Sequence, residues 1–219
     1  MNLNYETLSS NDFQWIANYL LNNCILKSNN TMYRFIEIEF YLRNKNHYDT
    51  YTHCHKDQLL CNTFYFHKQW RSQTYKSGTF KGMDLVFGDE QTDTYFGILI
   101  RSMIELGINE QNFFYQKDVI IGPCNCVNKI LKDYELQSIN ELTMNKSLNL
   151  FNNERNFILI NYPFINEEIY YGPRIGLSYK YPNFQHQYYR FVIFPELMKR
   201  EKKSLIPINY IFINQIQSN

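Results

Sequence analysis

At 219 residues and 26.6 kDa the chain is long enough to bury a full hydrophobic core as one domain, residues 1–219, without disulfide or metal staples. Its 22 basic residues nearly balance 21 acidic ones, which excludes a global field that would draw nucleic acid or a membrane surface; such a partner must be met by a local patch. The five cysteines are odd in number, the opening MNLNYETLSS has neither a basic start nor an apolar run, and no apolar segment approaches the roughly 20 residues of a bilayer span. A reduced, intracellular protein in nucleus or cytoplasm, not secreted and without membrane contact, is the expectation. A single alanine, Ala17, stands among abundant Asn, Ile, Tyr, Lys and Phe. That pattern reads as AT-rich coding bias, so aromatic and Asn counts carry little weight.

In chain order, SSNDFQWIANYLLNNCIL begins with capping residues and then places Phe13, Ile16, Ala17, Leu20 and Leu21 at helical spacing, which predicts an amphipathic helix ended by Asn22 and Asn23. YRFIEIEFYL follows as a strand. Alternation sends Ile36, Ile38, Phe40 and Leu42 to one face, and Phe35, Glu37, Glu39 and Tyr41 to the other. RNKNHYDTYTHCHKDQ reads as a long functional loop. NTFYFHKQW, TFKGMDLVFG and YFGILIRSM read as strands, and GPCNCVNKILKDYEL as a second helix with Pro123 in its first turn. NFILINY, PRIGLSY and YYRFVIF complete a strand-rich second half, and LMKREKKS adds a basic run. The expected architecture is α+β: a single domain with a mixed, mainly antiparallel curved sheet flanked by helices.

Chemistry centres on the polar face of the first strand. A carboxylate between aromatic walls can orient and deprotonate a water, which makes Glu37 or Glu39 a candidate base; solvent exposure of one glutamate and pairing of the other with Arg34 or Arg101 is the structural alternative. Arg101 ends an apolar strand, where a charge needs a carboxylate partner or a phosphate. His53 and His55 flank Cys54, with Cys61 nearby, but no CxxC or HxxxH partner accompanies them, so a pocket wall is preferred to a zinc site. GxxxxGK[ST], strand-following GxGxxG, GxSxG and HExxH motifs are all absent, which argues against NTPase, dinucleotide, serine-hydrolase and zincin chemistry.

Taken in order, EIEFYL (Glu37 to Leu42), the loop histidines, GTF (Gly78 to Phe80), ILIR ending at Arg101, GP (Gly122, Pro123), PRIG (Pro173 to Gly176) and YRFVIFP resemble the methylpurine-DNA glycosylase family, the alkyladenine or 3-methyladenine DNA glycosylases. The resemblance spans roughly residues 13–195 and rests on short motifs in a shared order. It implies a methylpurine-DNA glycosylase-like fold and removal of alkylated or deaminated purines from DNA by base flipping, as in base excision repair, with no metal or cofactor and a monomer as the working form. On it, Glu39 is the water-activating base, Arg101 places water and phosphate, Tyr41 stacks on the flipped base, and His53 or His55 lines the base pocket.

The segment after GTF departs from the family by lacking its run of tyrosines. Phe87 is then the expected DNA wedge and Lys81 a DNA contact; a basic stripe of Arg71, Lys76, Lys81 and Lys117 beside the pocket would favour DNA over a free nucleoside as substrate. The sequence also leaves open a non-catalytic nucleic-acid or modified-nucleobase binder, and a hydrolase of free nucleosides.

Overall fold

The computed structural model describes residues 3–108, 113–144, 148–152, 156–164 and 166–208. Ser9 and Asp12 form a reciprocal capping box around a short 3-10 turn that leads into helix α1 (Phe13–Asn23). Phe13, Ile16, Ala17, Leu20 and Leu21 are all buried, as their spacing requires. The chain then passes directly into β1 (Cys24–Ser28), a strand too short to have left a pattern in the sequence.

β2 (Thr31–Arg43) is the central strand, and it pairs with β5 (Tyr95–Ile108) from Met32 to Arg43. Around them lie β3 (Cys61–Phe66), β4 (Met83–Phe87), β6 (Phe113–Ile121), β7 (Phe157–Asn161), β8 (Tyr170–Gly172), β9 (Arg190–Val192) and β10 (Ile206–Pro207). The sheet order is β10-β8-β9-β2-β5-β4-β3, with β1 joining β2 to β7 and β6 lying beside β5. All pairings among the described residues are antiparallel. Helix α2 (Pro123–Asp133) packs on β5 and β6, and the short helices α3 (Ile139–Met144) and α4 (Pro182–Gln185) lie in the second half. The chain is thus an α+β fold built on one large antiparallel sheet.

The core lies on the apolar face of the central strands. Ile36, Ile38, Phe40 and Leu42 are fully buried with Met83, Leu85, Phe96, Ile98 and Ile100, and Phe13 of α1 stacks on Phe40 at 4.5 Å. Removing such a ring, as in Phe40→Ala, costs about 3–5 kcal/mol.

Three expectations need correction. GTF is a 3-10 turn, and the strand begins only at Met83. Pro173 to Ser178 is an irregular strap after β8, because Gly176 adopts a φ of +77° and Arg174 points inward. Phe35 leaves the glutamate face: the β2–β5 register skips Ile36, and this bulge pairs Phe35 with Met103 in the core.

Candidate active site

The bulges create the site. β2 pairs with β1 through Arg34, then with β9 from Glu37 to Glu39; β5 pairs with β4 from Gly97 to Leu99, then with β6 from Ser102. Both central strands therefore change neighbours at the same level, and the sheet divides there. A second register shift skips Arg101 on β5, which lets its side chain lie beside both glutamates. Across five strands Tyr65, Asp84, Leu99, Glu39 and Arg190 sit directly opposite one another, so a polar row crosses one face of the sheet.

Within that row Glu39 is completely buried. Its Oε1 accepts the backbone N–H of Ile175 at 2.7 Å, and its Oε2 accepts the Tyr41 hydroxyl at 2.9 Å and Arg101 Nη1 at 3.3 Å. Burial and the neighbouring Glu39 charge push the Tyr41 phenol well above its usual range, so it remains a donor. Burial works against the Arg101 charge, but Glu39 and Glu37 outweigh it and raise its pKa. Glu37 is committed elsewhere: it accepts Arg190 Nε at 2.7 Å and the Ser102 hydroxyl. The expected bridge from Arg101 to Glu37 or Glu39 involves both, with Arg101 Nε 3.4 Å from Glu37.

Glu39 lines neither of the two cavities beside it, but it is bonded to the wall of each, to Tyr41 of one and to Arg101 and Ile175 of the other. The smaller, about 240 Å³, is lined by Tyr41, Tyr51, His53, Gln58, His67, Asp84, Leu99 and Gly176 to Ser178. It lies below the ~300–1,000 Å³ of drug-sized pockets, a fit for one heterocycle. The larger, about 380 Å³, has Arg101, Arg190, Lys199 and Arg200 in its wall with Glu37 as its only carboxylate among the described residues, and it reaches the start of α2 at Gly122 to Asn125. The strap runs between them, with Ile175 in one wall and Gly176 in the other. It is pinned by Arg174, which pairs with Asp49 through both terminal nitrogens, donates to the Phe40 carbonyl, and lies over the Tyr41 ring at 4.5 Å. Arg174 was legible as a motif residue; its partner Asp49, in a polar loop, was not.

The two loop histidines separate cleanly. His53 lines the smaller cavity; burial, His67 and Lys76 lower its pKa to about 3, so the ring is neutral, and Lys76 Nζ lies 3.3 Å from its Nε2. His55 does not line it. Its Nδ1 caps the following turn by accepting the Asp57 N–H, and its ring stacks on Tyr65.

The DNA-facing expectations fare differently. Phe87 is no wedge: at 1 % exposure it packs against Phe96 in the core, because Met83, Leu85 and Phe87 share the inward side of β4. The exposed aromatics nearby in sequence are Phe80, 76 % exposed on the GTF turn, and Trp70, 70 % exposed. That turn is tied to the start of α2 through Cys124, whose thiol donates to the Gly78 carbonyl. Lys81 is half-buried and donates to Asn128. Lys76 is spent on His53, Arg71 is exposed, and the Lys117 side chain lies outside the described residues. The basic stripe is replaced by Lys199 and Arg200 from LMKREKKS.

Sequence reasoning passed over Gln58, His67 and Asp84, although a charge inside the apolar run MDLVF was a visible signal. Among the described residues no three His, Cys, Asp or Glu side chains are grouped to hold a metal ion, and no helix is long and apolar enough to cross a membrane.

The sequence matches no family model. It is similar to the uncharacterized protein L759 of Acanthamoeba polyphaga mimivirus, with 45 % identity over 217 residues covering 94 % of this chain and 96 % of that protein. The chain belongs to the same family as this mimivirus protein.

Proposed function

We propose that this chain hydrolyses the N-glycosidic bond of a damaged purine nucleotide in DNA, after the base has been flipped into the smaller cavity. The observation that carries the reading is Glu39: a buried carboxylate held by Tyr41, in the wall of a base-sized cavity, and by Arg101 and Ile175, in the wall of a cationic cleft. A target bond inside a stacked duplex is out of reach, so flipping puts the base in one cavity and leaves its sugar and phosphate toward the other. As the base departs, the sugar becomes oxocarbenium-like; a carboxylate beside it stabilises that charge and takes a proton from the attacking water. Tyr41 offers its ring to the base while its hydroxyl orients Glu39, and Arg101, Lys199 and Arg200 supply positive charge for phosphate. Phe80 replaces Phe87 as the side chain available to fill the vacated stack.

The cationic cleft disfavours a free nucleoside as substrate. Non-catalytic capture of a nucleobase is favoured by one feature, the complete burial of Glu39. The test is release of free base from methylated and hypoxanthine-containing DNA, single- and double-stranded, and from the matching nucleosides. Release from DNA by the natural protein, and loss of it in Glu39→Gln, supports the proposal. Binding without release moves the function to base capture.

A further inference from the structure

The smaller cavity contains a polar group that the hydrolytic chemistry does not use. Asp84 lies in its wall with a side chain 3 % exposed, and it is the one carboxylate among the described lining residues. His67 Nε2 lies 2.8 Å from Oδ1, and Gln58 Nε2 donates to Oδ2 at 3.2 Å. Gln58 cannot turn its amide over, because its Oε1 already accepts the His55 N–H. Each carboxylate oxygen accepts two hydrogen bonds, so Asp84 retains acceptor capacity beside the remaining N–H of Gln58.

Two glycines make room for this arrangement. A Cβ at Gly97 would stand 2.7 Å from Asp84 Oδ2 and 2.9 Å from Gln58 Nε2, and one at Gly82 would stand 2.6 Å from the His67 ring. Gly97 is opposite Tyr41 on β2, so the Asp84–Gln58 pair occupies the room cleared beside the ring that lines the cavity.

We propose that Asp84 and Gln58 are the specificity elements of this cavity, which takes a heterocycle presenting a hydrogen-bond donor beside an acceptor and rejects a ring lacking the donor. The amino group and adjacent ring nitrogen of an adenine-type base meet that requirement, and so do the N1–H and O6 of hypoxanthine. Unsubstituted purine offers acceptors only on the same edge, and an etheno bridge across N1 and N6 removes the donor. A buried carboxylate facing such a ring loses its water without gaining a partner. The inference rests on the reading of the smaller cavity as the base site, but not on hydrolysis.

The test is NMR titration of the natural protein with 9-methyladenine, 9-methylhypoxanthine and 9-methylpurine, whose blocked N9 removes the competing ring donor. The first two are expected to bind at least about tenfold tighter than the third. Asp84→Asn, nearly isosteric, should remove the preference, and Gly97→Ala should do so by crowding the pair with its chemistry intact. Equal affinities for the three, tighter binding of 9-methylpurine, or no saturable binding of any would overturn the inference. Base release from DNA without this preference sinks the specificity assignment alone, whereas the preference without release sinks hydrolysis alone.

Discussion

Two arginine–carboxylate pairs flank Tyr41, Arg174 of the strap with Asp49 of the loop after β2 and Arg101 of β5 with Glu39 of β2, and they are built to opposite ends. Arg174 and Asp49 have no exposed side-chain surface, meet through both terminal nitrogens, and are further tied to the Phe40 and Phe184 carbonyls. Arg101 meets Glu39 through one nitrogen at 3.3 Å and keeps 14 % of its side chain exposed at the edge of the cationic cleft; Nε has no hydrogen bond in either arginine. A buried pair joined through both terminal nitrogens holds structure; a singly bonded one at the edge of a cavity is available to a ligand. The first pair positions the strap that gives Glu39 its backbone partner, so the second depends on it.

This contrast can be broken by mutation. Arg174→Ala should lower the unfolding free energy by about 3–5 kcal/mol, since Asp49 is left buried without its cation. Denaturant unfolding measures this, and a loss under 1 kcal/mol would show that the pair is not structural. Arg101→Ala should cost less stability, since Glu39 keeps the Tyr41 hydroxyl and the Ile175 N–H as donors, yet lose most base release; if its stability loss equals that of Arg174→Ala, the distinction between the pairs fails. In the cleft, Lys199→Ala and Arg200→Ala should each reduce the slope of log affinity against log salt for single-stranded DNA by about 1. Unchanged slopes would remove the phosphate role from that wall.

A separate effect concerns pH. Burial, His67 and Lys76 lower the folded-state pKa of His53 from 6.5 to about 3, so the unfolded chain binds the proton more readily. Stability from the neutral ring is therefore complete above about pH 6.5 and declines as pH falls toward 3. His53→Gln should flatten that part of the stability profile; an unchanged slope between natural protein and variant would contradict the neutral assignment. The comparison isolates His53 from His47, whose pKa burial also lowers.

Much of this arrangement was legible in the sequence, and what was not has physical causes. Helix α1 and the apolar face of β2 follow from spacing, because one side of each had to be buried. The bulges at Ile36 and Arg101 depend on which strand lies alongside, which no local pattern records. They moved Phe35 into the core and brought Arg101 to both glutamates. Met83, Leu85 and Phe87 alternate as a core face, so the periodicity of β4 turns Phe87 inward, whereas the motif order alone points it toward DNA. His53 and His55 lie in an irregular loop, where alternation does not fix direction, and only tertiary contacts separate them.

The central claim is that Glu39 directs water to the anomeric carbon of a flipped nucleotide. Single-turnover base release from methylated DNA in ¹⁸O-enriched water, with natural protein and folded Glu39→Gln, tests it most directly. Intact free base and an abasic sugar carrying one solvent oxygen at C1′ are expected from the natural protein, and no release above background from the variant. Release unaffected by Glu39→Gln, or an absence of release from every DNA substrate by the natural protein, would contradict the claim.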